Sequence, residues 1–556
     1  MRSRHVLIAV AAGLALADAS VVTLALPELL RQLDTSVEGV AAVLIVYAAV
    51  IAAALMPAEL LQRRIGAPRT AACGLLLFAA ASLVCSLSGS LALLLVARAV
   101  QAAGGAAALV GAFALLEPGG AAGAAGRRLW LGTAVLAAAV GPALGGVLTE
   151  ALSWRAIFYV QAPVAAIAAI AAWQEPDRAA AAAPAPSPSP DGASPQMLWG
   201  PAVALALVSA ALTSVLFLLV LLLVAGWDVS PIRAAIAVSV IPAGALLGSR
   251  IPGPPHARAA AGCALVGAGV LALAFLPDAR LLWTVAPQAA AGLGMGLALP
   301  ALGGDLLPER DARDAARLLT LRHVGIVVAL VVLAPIVSSQ LQSSTDRARE
   351  RGVAVVLDAR LPPTDKLRLA PSLLAGVADD QPRAGLRAAL AAGRGSISPA
   401  DRAAYDGLAR RTDDTLVLAV GEAFRTAFLV TGALALLAAL AVLPRRRPAR
   451  PQALAAAAVA AIVLPLAYLG LHRSVAPQPV ALRDPCRGRP LPQTGGLEGF
   501  LQDRALEVLD TTACRAGATR EELVLALADE RDRARFEREH GVDPRGLSSI
   551  LESLLG

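Results

Sequence analysis

Three polar side chains stand out by position. Asp18 ends an apolar run that begins at Val6, and Arg98 and Gln101 lie one helical turn apart in the apolar run 92–115. A carboxylate or a guanidinium inside such a stretch is expensive unless it meets a partner, water or a cavity. One chemistry that uses Asp18 is reversible proton uptake, with the same carboxyl holding either a proton or a cationic ligand. The other reading is structural: Asp18 is a hydrogen-bonded or hydrated carboxylate near a helix end, and Arg98 ties helices together. Gln101 supports either role. Both readings stay open at this level.

A second group would act by shape. Gly132, Gly141, Pro142, Gly145 and Gly146 share the apolar run 129–148. Glycines leave gaps that admit a neighbouring helix, and Pro142 removes one backbone hydrogen bond and bends the helix. No enzymatic constellation stands out, and no motif asks for a cofactor or a metal. The phosphate-binding pattern G-x-x-x-x-G-K is missing, which argues against an ATP-driven pump and for an ion gradient as the energy source. Cys486-x-Gly-x-Pro is not a redox pair. Cys73, Cys85 and Cys263 read as small buried hydrophobes.

These residues need membrane elements to position them. The chain has 556 residues, 57% hydrophobic and only 16% charged, with a mean hydropathy of +0.67. Apolar runs long enough to span a bilayer recur along it. The net charge of +7 is nearly all arginine; Lys366 is the one lysine. Aromatics are 3% of the chain, so no aromatic-studded basic patch points to nucleic acid. The arginines fit the positive-inside rule instead. With the N-terminus inside, Arg63, Arg64, Arg69, Arg127, Arg128, Arg250, Arg258 and Arg445–Arg447 all fall in cytoplasmic loops. The opposite short loops carry isolated arginines. The polar stretch 341–414 and the tail 472–556 then lie outside, where Cys486 and Cys514 can pair in an oxidising space. Segment 353–357 alternates like a strand, 519–543 reads as one amphipathic helix, and 547–555 as a short helix packed on it. Arg322 and His323 read as boundary residues near a span end.

Several motifs resemble the drug:proton antiporter branch of the major facilitator superfamily. Asp18, Val22, Ala25, Leu26 and Pro27 match that branch's first-helix phrase, with Ser20 conservative and Thr23 a departure. The match runs through Ala15-Leu16-Ala17, which argues against a cleaved signal peptide there. Tyr47 stands where the branch often has tyrosine. Arg98-x-x-Gln101-x-x-Gly104 resembles its fourth helix. Gly132 and Gly141-Pro142-x-x-Gly145-Gly146 resemble the antiporter motif of its fifth. The signature cytoplasmic loop is degenerate: Leu61, Arg64 and Gly66 match, while Glu59 replaces a glycine and Arg63 replaces the gating aspartate.

The resemblance implies an all-α membrane protein of the two-bundle major facilitator fold. It has twelve core helices plus one extra C-terminal transmembrane helix, and an extracytoplasmic insert and tail. Residues 1–173 form the first six-helix bundle, 174–197 a cytoplasmic linker, and 198–340 helices seven to eleven. Residues 341–414 are the insert, 415–444 helix twelve, 445–452 a basic loop, 453–471 helix thirteen and 472–556 the tail. The implied activity is not enzymatic. It is proton-coupled export of small amphipathic or cationic organic compounds across the plasma membrane, by alternating access. The partners are the small-molecule substrate, protons, membrane lipids and an envelope protein outside, with no nucleic acid. Two alternatives stand beside it: a non-transport scaffold or sensor with external partner-binding domains, and an exporter of lipid or cell-envelope precursors.

Overall fold

Ala, Leu and Val dominate the long apolar runs, and with few turn signals to interrupt them these runs become helices. The computed structural model describes residues 2–116, 129, 141–176, 198–307, 312–377, 382–443, 452–487, 491–492 and 494–546. Gly132, the linker from residue 177 to 197, and the segment 547–555 lie outside the described residues. Twelve described helices are long and apolar enough to cross a membrane. The run 129–148 is described only at Leu129 and from Gly141 onward.

The chain forms two compact units. The first takes residues 1–225, 229–339 and 424–474; the second takes 226–228, 340–423 and 475–556.

The first unit begins with α1 (Arg2–Thr23), the short α2 (Leu26–Gln32), α3 (Val37–Ile65), α4 (Ala67–Ser86) and α5 (Leu91–Leu116). Helix α6 covers 141–151 and α7 is Trp154–Trp173. Small residues set the spacing. A methyl on Gly104 would stand 2.6 Å from the Phe78 backbone nitrogen, and one on Gly111 2.5 Å from that of Ala71. Helices α4 and α5 therefore touch backbone to backbone, as membrane helices do where side chains are small. The turn between α3 and α4 is made at Gly66, whose φ of +88° excludes most side chains.

The second half of this unit repeats the device. It contains α8 (Trp199–Val220, with a π turn over Leu221–Gly226), α9 (Pro231–Val238) and α10 (Val240–Gly248). Then come α11 (Pro255–Leu273) and α12 (Leu282–Pro300, with a π turn over Ala301–Leu306). Helices α9 and α10 adjoin at Ser239, with Pro242 in the first turn of α10, and together form one candidate span over Pro231–Gly248. Helix α13 (Ala312–Leu357) has 46 residues, and α16 (Arg402–Ala441) has 40. At 1.5 Å per residue both exceed the roughly 30 Å of a hydrocarbon core, and both continue into the second unit. Helix α17 (Gln452–Val475) is held by Tyr468, which donates to the Trp283 carbonyl at 2.7 Å, and by His472 beside Arg425 at 2.9 Å.

In the second unit, α14 (Pro363–Val377) and α15 (Pro382–Arg394) sit between the ends of α13 and α16 in the chain. Arg383 grips Asp413 with two bonds of 2.8 Å and donates to the Trp227 carbonyl at 3.1 Å. The tail supplies α18 (Gly496–Ala516), α19 (Arg520–Ala528) and α20 (Glu530–His540). Insert and tail are joined by ion pairs: Arg520 to Asp358 at 2.9 Å, Arg349 to Asp532 at 3.0 Å, and Arg535 to Asp346 at 3.2 Å. A disulfide links Cys486 to Cys514, with Cα atoms 5.1 Å apart.

Three sequence-level readings change. Segment 353–357 is not strand-like but the last turn of α13, because its neighbours carry the helix through. The single helix expected over 519–543 is broken at Asp529, which is extended and caps α20 with its own side chain. Cys73 is exposed on α4, while Cys85 and Cys263 are buried.

Candidate functional site

Four helices bring a polar network into the middle of the first bundle. Helix α1 carries Asp18, α5 carries Arg98 and Gln101, α4 carries Ser82 and α7 carries Gln161. Asp18, Arg98 and Gln101 are completely buried. Arg98 Nη1 donates to Asp18 Oδ2 at 2.5 Å and to Gln101 Oε1 at 2.7 Å. Gln161 Nε2 closes the ring by donating to Asp18 Oδ1 at 3.1 Å. Gln101 Nε2 in turn donates to Gln161 Oε1 at 3.0 Å and to Ser82 Oγ at 2.8 Å. Arg98 Nε reaches the Val43 carbonyl at 3.4 Å, and the guanidinium lies 4.1 Å from the centre of the Tyr47 ring. Its Nη2 has no hydrogen-bond partner among the described residues, so the rings of Tyr47 and Phe158 provide its remaining stabilisation.

An ion pair this dry holds only because each oxygen and most of the nitrogens are satisfied. The arrangement makes the two charges interdependent. Neutralising Asp18 leaves Arg98 as an unpaired buried cation, which is strongly destabilising unless the helices re-pack.

Beside the network lies a cavity of about 120 Å³ between the two halves of the first unit. Tyr47 is the wall between them: its ring stacks on Arg98 and also lines the cavity. Ser20 and Thr23 face the cavity from α1, Ser209 and Thr213 from α8, and Arg322 and His323 from α13. Asp18 does not line it. The Tyr47 ring lies between the Arg98 guanidinium and this space. Such a volume holds a few waters and falls well short of the 300–1,000 Å³ of ordinary ligand pockets.

Arg322 and His323 are not boundary residues. Helix α13 starts at Ala312, ten positions before Arg322, which carries both side chains to the cavity. His323 is buried, and its Nδ1 lies 2.7 Å from the Leu319 carbonyl oxygen. Gln161 and Ser82 were also missed. A glutamine beside Pro163 in an apolar run was the available signal for the first.

The profile described as Major Facilitator Superfamily matches residues 8–339. The chain belongs to this superfamily. Part of it is 33% identical, over 174 residues, to the drug efflux pump JefA of Mycobacterium tuberculosis; that match covers 30% of this chain and 34% of the relative. The methylenomycin A resistance protein of Streptomyces coelicolor is 32% identical over 247 residues, covering 44% of this chain and 49% of the relative. The chain thus spans about a third to a half of these relatives. Among solved structures, a bacterial homologue of the human lysosomal transporter Spinster, inward-facing and unoccupied, superposes with a TM-score of 0.53. That match has 14% identity and covers 81% of this chain and 99% of the other. It shows the fold. Membership of this superfamily and the twelve candidate spans among the described residues make the chain a multi-pass membrane protein.

The motif glycines of this major facilitator protein lie on contacts. A methyl on Gly141 would stand 2.4 Å from Ser20 Oγ, and one on Gly145 2.3 Å from the Val21 carbonyl oxygen. Both press α6 on α1, the helix of Asp18. Gly146 faces the other half: a methyl there would stand 2.4 Å from Ala235 Cβ and 2.8 Å from the Pro231 carbonyl oxygen of α9. Pro142 lines the cavity. One helix therefore touches the network's helix, the cavity and the opposite half. Nearby, Glu150 Oε2 accepts from the Ile232 backbone at 2.7 Å. In the loop at the other end of the bundle, Arg64 is exposed, while Glu59 is buried and paired with Arg63 one turn on.

Proposed function

We propose that this chain is a proton-coupled exporter of small amphipathic or cationic organic compounds, working by alternating access in the plasma membrane. The N-terminus is cytoplasmic and the second unit extracytoplasmic. The buried Asp18–Arg98–Gln101–Gln161 ring behind Tyr47 carries this reading. A proton on Asp18 breaks the ion pair and frees Arg98, and Arg98 packs on the ring that walls the cavity. Proton and substrate are then coupled through Tyr47 and helix α1 rather than by competing for one atom. A coupling of about 1–3 kcal/mol is typical of such linked sites.

Two further observations support transport over a scaffold. The cavity lies between two halves that must separate to admit cargo, and the partial relatives include drug efflux and resistance proteins. Glu59, paired with Arg63, keeps an acid near the degenerate loop. The arginines assigned to the cytoplasmic side and the Cys486–Cys514 disulfide fit the proposed orientation.

Proteoliposomes holding the purified full-length chain test the reading, with ethidium as the probe. An imposed pH gradient is expected to drive ethidium accumulation in the wild type and to leave Asp18→Asn vesicles at the rate of empty liposomes. Gradient-driven transport by the Asp18→Asn variant at the wild-type rate would remove Asp18 from the mechanism. Absence of transport by the wild type, across a panel of cationic dyes and antibiotics, would favour the scaffold.

A further inference from the structure

The second unit contains two spaces that the transport reading does not use. The first is a partly open apolar cavity of about 240 Å³ lined by insert and tail together. Val353 and Leu357 of α13, Leu373 of α14, Leu386 of α15, Leu416 of α16 and Leu525 of α19 contribute to its wall. Aliphatic side chains dominate the wall, and such surfaces favour apolar guests; a closed apolar cavity of about 150 Å³ accommodates benzene. The second is an open cleft of about 1170 Å³. Arg360, Arg410, Arg411 and Arg483 line it, against Asp358 and Asp414. All four arginines are exposed. Among the described residues none of the four is in an ion pair, and Asp358 is engaged by Arg520 at 2.9 Å. Thr415 belongs to both walls, and Val355 and Val356 face the cleft and the cavity respectively. The two spaces are neighbours.

A greasy slot beside a cleft whose wall carries four arginines and two aspartates is complementary to one kind of molecule. We propose that the second unit binds an anionic acyl lipid, with the chain in the apolar cavity and the anionic head group among the four arginines. Neither space explains the other's ligand alone. An inorganic anion has no use for the slot, and a neutral hydrocarbon none for the arginines. Arginine suits the head group because its fork of donors matches carboxylate and phosphate oxygens. The site rests on the second unit alone and is independent of the transport cycle.

Photolabelling reads it without any gradient. The full-length protein is placed in phosphatidylcholine nanodiscs and exposed to a dodecanoic acid carrying a diazirine near the chain end. Labelled peptides are mapped by mass spectrometry. The expected labels fall within 353–357, 367–374 and 524–528, with the matching diazirine dodecanol at least about tenfold weaker. Leu373→Trp, which fills the slot, is expected to abolish these labels; Leu386→Phe serves as a second filling variant. Arg410→Glu with Arg411→Glu changes only exposed side chains. It is expected to raise half-saturation at least about tenfold while the labelled positions stay the same. No label in these segments, equal labelling by the alcohol, or labelling unmoved by either filling variant overturns the proposal. Displacement by inorganic phosphate as effective as by unlabelled dodecanoate would assign the cleft to a free anion and overturn it as well.

Discussion

Asp18 and Arg98 neutralise each other in a fully buried pair, and this makes them fragile in a specific way. Asp18→Ala deletes the anion and leaves the guanidinium charged, dry and short of acceptors. A loss of about 3–5 kcal/mol is expected from an uncompensated buried charge. Adding Arg98→Gln to Asp18→Ala should recover part of that loss, because both charges are then gone. Unfolding of the purified variants in detergent, followed by circular dichroism, checks this; additive losses would mean that the two side chains do not act as a pair. Asp18, Arg98 and Gln101 were legible in the sequence because a charge or amide in an apolar run is costly and therefore informative. Gln161 and Ser82 were not, since only the fold brings α7 and α4 beside α5. Arg322 and His323 were misread because the preceding charged stretch looked like a loop, whereas α13 begins at Ala312 within it.

At the scale of elements, α6 makes two different contacts with adjacent glycines. Gly145→Ala drives a methyl into the Val21 carbonyl inside one half, where the backbone has no room to yield. A stability loss of about 1–3 kcal/mol is expected, as for overpacking elsewhere. Gly146→Ala instead pushes on Ala235 and Pro231 of the opposite half. It is expected to favour the separated arrangement of the halves with a smaller loss of stability. The readout is labelling of a cysteine placed at Ser20, which lines the cavity: Gly146→Ala should label faster than the parent, and Gly145→Ala should not. Equal rates in all three would contradict a closing role for α6. The membrane helices were readable from composition alone, since long runs of Ala, Leu and Val have few other options in a bilayer. The polar elements were not. Whether 353–357 is strand or helix depends on what precedes it, and the break at Asp529 depends on that side chain turning back to accept from the Arg531 backbone.

At the scale of the whole molecule, the second unit carries its own stability controls. Lys366 is the only lysine in the chain. Burial lowers its pKa to about 8, with Asp358 opposing the shift and Arg520 adding to it. The folded value lies below the unfolded one, so the stability it contributes is complete above about pH 10.5 and is lost as pH falls through about 8. Unit stability should therefore rise by up to about 2 kcal/mol between pH 8 and pH 10, and Lys366→Met should flatten that rise in denaturant titrations of the full chain. An unchanged slope would show that the ammonium is not desolvated. The disulfide acts on the same unit: its half-cystines are 28 residues apart, a loop whose closure is worth about 3.6 kcal/mol in the unfolded chain. Cys486→Ser with Cys514→Ser should make segments 475–487 and 494–516 protease-sensitive before the membrane helices respond. Simultaneous cleavage of both units would contradict that order.

The central claim is that the buried acid exchanges a proton when cargo binds. Proton release on adding ethidium to the purified protein, in weakly buffered detergent solution near neutral pH, measures this directly. The wild type is expected to release protons in proportion to the dye bound, and Asp18→Asn to bind dye with no proton release. Equal proton exchange by both proteins would contradict the account.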